Sequence, residues 1–491
     1  MFEKHIREKI AEVQAAGFER DEFFRSENFY CSEGTALIHA ALGDYLETDG
    51  KLNSEFGFRF RVKNLNAPHL CMIRYPDDKK RYMGISDCFS YDLSTGVSTG
   101  GVYPLSNTVQ QVEMVFYPRM ETENISFITM NEGDSAALVS CEIYELDALG
   151  IPELPSAEGR RKIGLQFEDP CNRCSSMGSE TLDTWTDRLI DYMKASGQNE
   201  LYYPVNWYHG PNYPSAVQGA DIFDVYVSKD RKQYCRASET PPDWVEDLLT
   251  KFDREGFSFS ASFTLVRLSS LLQGMNKDEE SVKAGAETYN NMRDDNRLQN
   301  AVNDWTLLYN ARNFAPLLER AEKNGGKLDF RDIDLAYGER LTDIGAGPMF
   351  NPIHPTVKAA VKEYLCEFVA RYSKHQSLRC VSINVWHSSL LWFGTLSFGY
   401  DDYTVGLFEK ETGIDLGVSG SDRERFARRA EILVGKYREK WIDWRCEKVA
   451  ENIREIREAI SEVHPHIRLA LNFWNEMVKP SLIGVGRHSQ L

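Results

Sequence analysis

One stretch of the sequence, residues 378–474, constrains the fold of this chain more than any other. It opens with a short apolar run, Leu378–Trp386, that ends in polar and aromatic residues. A loop rich in Trp, Phe, Tyr and Gly follows, then a charged amphipathic helix, then a second apolar run, Ile467–Trp474. Two strands joined by a helix lie parallel in one sheet. The pattern predicts an α/β fold in which polar and aromatic side chains gather at the strand ends.

The same alternation of strands and helices extends back to residue 160. Five segments have the composition of barrel strands: 162–168, 200–207, 257–265, 378–386 and 467–474. Parallel strands in this order predict a (β/α)₈ TIM-barrel-like domain over residues 160–491. A barrel needs about eight strands, and only about fifteen residues follow the last good one. We therefore expect the barrel to be incomplete at the C-terminus and the chain to be a fragment of a longer protein.

The amino-terminal part of the chain has a different period. From residue 55 to 150 several short runs alternate apolar and polar residues and are separated by Gly-, Asn- and Asp-rich turns. This pattern predicts an all-β sandwich domain. Residues 1–54 are expected to form a lead-in, in which Phe2, Ile6, Ile10 and Val13 recur at helical spacing. A Pro-containing linker at 151–159 separates the sandwich from the barrel domain.

Charge and hydropathy exclude several classes of partner. The formal net charge of -17 argues against nucleic acid and anionic membranes, because both require basic patches. No apolar run approaches the roughly 18 residues of a membrane span, and the charged start of the chain lacks an apolar signal core. We expect a cytoplasmic protein as the chain stands, or an exported one if it is part of a longer precursor.

The cysteines and the known cofactor motifs predict neither a metal nor a cofactor. Ten Cys are scattered through the chain, which is typical of reduced, mostly buried thiols. Cys171 and Cys174 form the only C-x-x-C pair, and no second pair supplies the four ligands that zinc needs. Nucleotide-binding glycine loops and metalloprotease motifs are also absent.

The residues at the carboxyl ends of the candidate strands suggest a ligand. Aromatic rings stack on the C–H faces of sugars, while amides and carboxylates bind their hydroxyl groups. Both kinds of side chain occur here, and they predict a carbohydrate site. The candidate substrate-binding residues are Asp169, Asn206, Trp207, Asn384, Trp386, Trp392, Asn472 and Trp474. For the aromatic residues of the loop, packing in the core is the alternative.

Two longer segments resemble a known family of barrel glycosidases. Phe398–Asp415 is similar to the helix that follows strand 4 in enzymes close to glycoside hydrolase family 42. Trp441–Val449, Ile453–Pro465 and Leu471–Trp474 are similar to the next outer helix and strand. The resemblance implies a retaining mechanism with two carboxylates about 5 Å apart. It also implies an acid/base Glu directly after Asn384, where this chain has Val385, and a nucleophile on strand 7, for which we identify no segment.

The catalytic candidates therefore come from other positions. Glu476 follows Asn475 just past a strand, Glu168 ends the first barrel strand, and His387 lies in the aromatic loop. A loop carboxylate, a helix start and a packed imidazole are the respective alternatives. Asp401 and Asp402 precede a helix and are expected to act at its N-cap.

Two functions follow from these residues. The first is a glycoside-hydrolase-like protein that acts on or recognises a carbohydrate, and hydrolyses O-glycosyl bonds if it is active. The second is a non-catalytic carbohydrate-binding or scaffold protein on a degenerate barrel, which the Val385 position favours. The sequence leaves open the sugar, the linkage and the oligomeric state.

Overall fold

The computed structural model describes the chain except for one set of residues. These are residues 1, 17–26, 87–93, 102, 119, 151–161, 168–181, 208–209, 220–221, 228–232, 238–242, 266–267, 269, 272–349, 386–389, 394–395, 397–398, 421–424 and 474–491. The chain divides into two compact units. The first comprises Met1–Ile163, Cys171–Gln198 and Val225–Tyr234, and the second comprises Gly164–Pro170, Asn199–Asp224 and Cys235–Leu491.

The first unit is built from antiparallel strands, after a short 3₁₀ turn at Phe2–His5. Its strands are β1 (Ile6–Gln14), β2 (Phe29–Cys31), β3 (Ala36–Ala40), β4 (Gly43–Glu47), β5 (Glu55–Arg61), β6 (His69–Pro76), β7 (Arg81–Ser86), β8 (Ser94–Thr99), β9 (Val109–Phe116), β10 (Thr122–Thr129), β11 (Ala137–Leu138) and β12 (Ser140–Leu146). They form sheets in the orders β1-β12-β6-β9, β2-β5-β10-β7-β8 and β11-β4-β3.

The two larger sheets enclose one hydrophobic core, which is the arrangement of a β-sandwich. Phe56, Phe58 and Phe60 alternate along β5 and point inward, and the ring of Phe56 stacks on that of Phe127 at 5.2 Å. Cys71 and Ile143 meet them from the four-stranded sheet. Alternating burial of this kind is what the two-residue period predicted.

The helical spacing of the apolar residues near the start of the chain does not correspond to an α-helix over residues 6–14. Residues 6–14 form β1, which pairs with β12, and β2 pairs with β5. A spacing of four residues between Ile6 and Ile10 fits both a helix and a strand. In a regular strand, Ile10 and Val13 would face opposite sides of the sheet. The register of β1 shifts between Lys9 and Ala11, and this irregularity brings Val13 to the same side as Ile10. Residues 1–54 thus contribute strands to the sheets.

A helix from the predicted barrel segment belongs to the first unit. This helix, α1 (Leu182–Ser196), places Ala195 and Tyr192 against Leu70 and Leu146 of the four-stranded sheet. Its Arg188 lies 4.5 Å from the ring centre of Tyr117 and donates a 3.0 Å hydrogen bond to the carbonyl of Leu65. The helix lies in the range that the sequence assigns to the barrel domain, but its packing partner is the sandwich sheet.

The second unit contains parallel strands. They are β13 (Gly164–Gln166), β14 (Glu200–Trp207), β18 (Ser258–Phe263), β19 (Leu378–Val385) and β20 (Arg468–Phe473), with β15 (Gly210–Pro211) antiparallel to β14. β16 (Ile222–Val227) and β17 (Gln233–Ala237) form a separate two-stranded sheet, and the residue ranges of the two units divide both strands. The helices are α2 (Trp244–Glu255), α3 (Pro355–Tyr372), α4 (Asp402–Thr412), α5 (Arg425–Val434) and α6 (Arg438–Val463).

Each parallel strand is hydrogen-bonded to the next one along the chain, in the order β13-β14-β18-β19-β20. This sequential order is that of a (β/α) barrel, whereas a doubly wound sheet reverses direction. All five strands coincide with the predicted segments. A complete eight-stranded barrel is not shown, since the described residues supply five parallel strands.

Helices cover one face of this sheet through aromatic contacts. Tyr203 of β14 meets Trp244 of α2 edge-on at 5.3 Å. Phe263 of β18 meets Tyr364 and Phe368 of α3 at 5.6 and 5.1 Å. The other face is therefore the one that would line the inside of a barrel.

Candidate functional site

The sheet face opposite the helices is polar, which is unusual for a parallel sheet. Its side chains come from every second residue of four neighbouring strands and are joined across the sheet by the strand register. They are Glu200 and Tyr202 on β14, Ser258, Ser260 and Ser262 on β18 with Thr264 just beyond it, Cys380, Ser382 and Asn384 on β19, and Arg468, Ala470 and Asn472 on β20. Parallel strands are ordinarily apolar on both faces, so this polarity requires an explanation beyond packing.

Three residues form an amide–hydroxyl tier at the carboxyl ends of the strands. Asn472 donates to the Oδ1 of Asn384 at 3.2 Å, and Asn384 donates to the Oγ1 of Thr264 at 2.9 Å. Asn384 and Asn472 stand opposite each other in the β19–β20 register. An Asn amide can form about four hydrogen bonds, so the tier can bind further hydroxyl groups.

Tyr202 lies below the tier and shows that this face is concave. Its hydroxyl is hydrogen-bonded to that of Ser382, although β18 separates their strands. Side chains stand roughly perpendicular to a sheet, and strands about 4.8 Å apart would keep these two hydroxyls separate if the sheet were flat. The sheet therefore curls toward its polar face, as the wall of a barrel does.

Burial controls the electrostatics of this face. It raises the pKa of Tyr202, while hydrogen bonds with Ser382, Ser262 and Asn472 act in the opposite direction. Burial, with the nearby charge of Glu200, also raises the pKa of Cys380 to about 11. Both groups are protonated near neutral pH, so Tyr202 and Cys380 add no charge to a face whose charged side chains, Glu200 and Arg468, lie toward the amino ends of the strands and away from the tier.

Within the described residues, the tier supplies hydrogen-bonding groups but lacks the acid/base carboxyl group that the resemblance implies. Val385, which stands where the resemblance implies the acid/base Glu, is only 3% exposed. Within the described residues, the ends of β18, β19 and β20 carry Thr264, Asn384 and Asn472 but no carboxylate. Hydrogen bonding to the polar groups of a ligand is the chemistry that this arrangement can perform.

Asn206, a predicted substrate-binding residue, lies apart from the tier. It is 1% exposed, accepts a 2.8 Å hydrogen bond from the Tyr364 hydroxyl and donates one of 2.7 Å to the carbonyl of Thr264. The register of β14 shifts between Pro204 and Asn206, and such an irregularity turns the following side chain to the other face. The amide thus connects β14 and β18 with helix α3.

Two further predictions can be compared with the structure. Trp392 is 5% exposed and Phe393 is also buried, beneath the guanidinium of Arg445 at 4.3 Å. Such burial agrees with core packing, the alternative already open for the aromatic loop, and the substrate-binding role of Trp392 stays a prediction. Asp401 accepts a 2.8 Å hydrogen bond from the amide of Thr404, which confirms the predicted N-cap of α4.

The remaining candidates lie outside the described residues. They are Glu168, Asp169, Trp386, His387, Trp474 and Glu476, together with the Cys171–Cys174 pair. Of Trp207 the structure describes only the backbone, as the last residue of β14. Roles for these residues, and for the tier residues Asn384 and Asn472, stay predictions.

Sequence reasoning missed Tyr202, Ser262, Thr264 and Ser382. A signal was present, because Ser258, Ser260, Ser262 and Thr264 recur at every second position of one strand. Hydroxyl residues at this period, in a strand whose other residues are apolar, indicate a polar face within the sheet.

Neither a metal site nor a membrane span is found in the part of the chain that the structure describes. No group of three or more His, Cys, Asp or Glu side chains there could hold a metal ion. Among those same residues, no helix has both the length and the apolar character needed to cross a bilayer.

Comparison with known families gives a match that includes two of the three tier residues. Residues 339–477 match the model of a family described as "Glycosyl hydrolase-like 10". The matched region, under half of the chain, includes β19 and β20 and so contains Asn384, Asn472 and also Glu476. This region is thus similar to glycosyl-hydrolase-like proteins, while the resemblance to glycoside hydrolase family 42 is not confirmed. No curated protein matches the chain.

Solved structures give only distant likenesses. A family 35 carbohydrate binding module from Clostridium thermocellum is 14% identical with a TM-score of 0.21, covering 28% of this chain and 98% of the module. A carbohydrate binding module of Cellvibrio mixtus lichenase 5A, in complex with cellotriose, is 12% identical with a TM-score of 0.21, covering 28% of this chain and 98% of the module. An exo-beta-1,3-galactanase from Phanerochaete chrysosporium is 16% identical with a TM-score of 0.20, covering 28% of this chain and 30% of the galactanase. At these TM-scores the likenesses carry no argument about the fold or function of this chain.

Proposed function

We propose that this chain is a glycoside-hydrolase-like protein that recognises a carbohydrate at the carboxyl ends of its parallel strands. The amide–hydroxyl tier carries the proposal, because it places Thr264, Asn384 and Asn472 on neighbouring strands at the end where (β/α) folds bind ligands. The similarity of residues 339–477 to a glycosyl-hydrolase-like family supports it independently. Neutral amides and hydroxyls on a concave face suit the hydroxyl-rich, uncharged surface of a sugar.

The tier is tested by sugar binding. We expect the Asn384→Ala and Asn472→Ala variants to bind an oligosaccharide 5- to 100-fold more weakly, corresponding to roughly 1–3 kcal/mol for an unmade buried hydrogen bond. Titration calorimetry with a panel of neutral oligosaccharides first identifies one that the wild-type protein binds. The same oligosaccharide is then titrated into each variant.

Ser258→Ala is the matched control, since Ser258 lies on the same face at the amino end of β18. Its binding should equal that of the wild type, and each variant's thermal unfolding should confirm that it is folded. Equal affinity in the wild type and both tier variants would mean that the sugar, if bound, lies elsewhere.

The finer proposal is hydrolysis of a glycosidic bond, with Glu476 and Glu168 as the carboxylates. To act in this way, either carboxylate must lie near the tier. Both residues are outside the part of the chain that the structure describes. We expect turnover of an aryl glycoside to fall by about 10²–10⁴-fold in Glu476→Gln or Glu168→Gln if that residue transfers the proton. Glu462→Gln, on the exposed end of α6, is the control for loss of a carboxylate.

A non-catalytic carbohydrate-binding protein is the second candidate, and the buried Val385 at the expected acid/base position favours it. The same assays separate the two functions. Sugar binding without turnover, in the wild type and at every pH tested, would establish the binder. Turnover that is unchanged in both Gln variants would instead exclude Glu476 and Glu168 as its carboxylates.

A further inference from the structure

Two cysteines in the sandwich core lie side by side on neighbouring strands. Cys71 is on β6 and Cys141 on β12, which are antiparallel partners in the middle of the four-stranded sheet. In their register Cys71 stands opposite Ile143, and Cys141 stands opposite Ile73. The cysteines are therefore diagonal neighbours with side chains on the same inward face. Their sulfur atoms are 3.3 Å apart.

The pair lies in the hydrophobic core of the sandwich. Both thiols are fully buried, with 0% exposure, in the core that contains Ile73, Ile143 and Phe127. A thiol donates and accepts hydrogen bonds only weakly, so packing alone would be served as well by Val or Ala at either position. A disulfide needs a sulfur–sulfur distance of about 2.05 Å, so the two sulfur atoms must approach each other by roughly 1.3 Å to form one.

We propose that Cys71 and Cys141 form a cross-strand disulfide when the chain folds under oxidising conditions. With oxidised glutathione as the co-reactant, the thiolate of one cysteine attacks the glutathione disulfide, forms a mixed disulfide and releases one glutathione. The second cysteine, as its thiolate, attacks the protein sulfur of that mixed disulfide and releases the second glutathione. The two cysteines together lose two electrons and two protons, and one glutathione disulfide becomes two glutathiones.

Burial dictates when this reaction takes place. Exchange requires a thiolate and an approach path for the oxidant, and the folded core provides neither. Burial also raises the pKa of the Cys141 thiol well above its usual value, which keeps it protonated. The bond therefore forms before the sandwich closes. A chain folded in the reduced state stays reduced, and one folded oxidised resists reductants until it unfolds.

The bond would stabilise the sandwich. It links residues 70 positions apart, and closing so long a loop removes much of the conformational freedom of the unfolded chain. We expect the oxidised protein to have a Tm higher by on the order of 5–15 °C than the reduced protein. The described cysteines are free in this structure, as the expectation of reduced thiols has it, and the proposal adds an oxidised state for one pair of them.

Peptide mapping of the whole chain tests the proposal. The chain is unfolded with reductant, refolded in buffers of defined oxidised and reduced glutathione, quenched with iodoacetamide and digested with trypsin without reduction. Cleavage at Lys and Arg yields peptides 64–74 and 120–160, each with one Cys. We expect their disulfide-linked mass to appear in the oxidising buffer and to disappear when reductant is added to the unfolded digest.

Variants connect the bond to the change in Tm. Cys71→Ala and Cys141→Ala should each abolish the difference in Tm between the oxidising and reducing buffers. Cys31→Ala, at an exposed cysteine of the same unit, should retain it. Recovery of both peptides only in alkylated form at every glutathione ratio would overturn the proposal, as would a bond from either cysteine to a third one.

Discussion

Arg81 shows how a single buried charge is accommodated in the sandwich. Its side chain is 0% exposed, and its guanidinium donates to Glu47 at 2.6 Å and to Asp78 at 2.7 Å. It also donates to the carbonyls of Pro76 and Ser135 and lies 5.3 Å from the ring centre of Tyr45. Nearly all of its donors are thereby used, which is the condition for burying a guanidinium without a large penalty.

Replacing this residue should be costly. We expect Arg81→Met to lower the free energy of unfolding by about 3 kcal/mol, because two partly buried carboxylates lose their cation. Lys79→Met is the matched control, since Lys79 also pairs with Glu47, at 2.8 Å, but is exposed. A surface pair of that kind contributes roughly 0–1 kcal/mol. Urea unfolding of the three proteins measures both values, and equal losses in the two variants would contradict the argument.

The same network predicts a pH dependence of the Arg81→Met effect. Burial raises the pKa of Asp78, but hydrogen bonds from Arg81 and Tyr45 outweigh it, and the net shift is downward from 3.8. A carboxyl whose pKa is lower in the folded state stabilises the fold above its unfolded pKa and ceases to do so as pH falls through the folded value. The difference between Arg81→Met and the wild type should accordingly shrink below pH ~4.

At the scale of elements, helix ends follow local rules that the sequence displays. Helix α2 begins after Asp243, whose side chain accepts from the amide of Glu246, and ends at Gly256 in the left-handed conformation with φ of 69°. Helix α4 begins after Asp401 and ends at Gly413 with φ of 70°. A carboxylate at the first position and a glycine at the last are the expected signals, because both satisfy backbone groups that lack helical partners.

The N-cap of α4 gives a prediction at this scale. We expect Asp401→Ala to lower the free energy of unfolding by about 1 kcal/mol, since the amide of Thr404 loses its acceptor. Asp401→Ser keeps an acceptor oxygen and serves as the matched control, with a loss well below that of the Ala variant. Thermal unfolding followed by circular dichroism at 222 nm compares them. If Ala and Ser cost the same, the cap hydrogen bond contributes nothing and the side chain acts only by packing.

Not every element followed its local signal. Residues 6–14 have apolar positions compatible with a helix, yet they form β1, because β12 offers an unpaired edge to which the strand adds. Helix α1 carries the expected helical pattern, but that pattern does not say which sheet it covers. The short strands β7 and β8 lack a clear strand signal, because Gly84, Gly96 and the Ser and Thr residues of β8 are also typical of turns.

For the whole molecule, the order of the strands was predictable and their curvature was not. Five parallel strands were identified correctly because each is a short apolar run between helices, and parallel neighbours in chain order follow from right-handed crossovers. The contact of Tyr202 with Ser382 depends on how far the sheet curls, and that is set by the packing of all its strands together. No local pattern in the sequence contains this information.

The sequence by itself therefore determined the two kinds of architecture, the five parallel strands, the helix caps and the polar residues at the strand ends. These follow from periodicity and from local hydrogen bonding, both of which act over a few residues. Only the tertiary structure decided that Asn384, Asn472 and Thr264 form one hydrogen-bonded tier, that Asn206 turns away from it, and that Cys71 meets Cys141. Each of these contacts depends on the register between strands. A shift of one residue in that register would turn the side chains of the strand to the opposite face of the sheet.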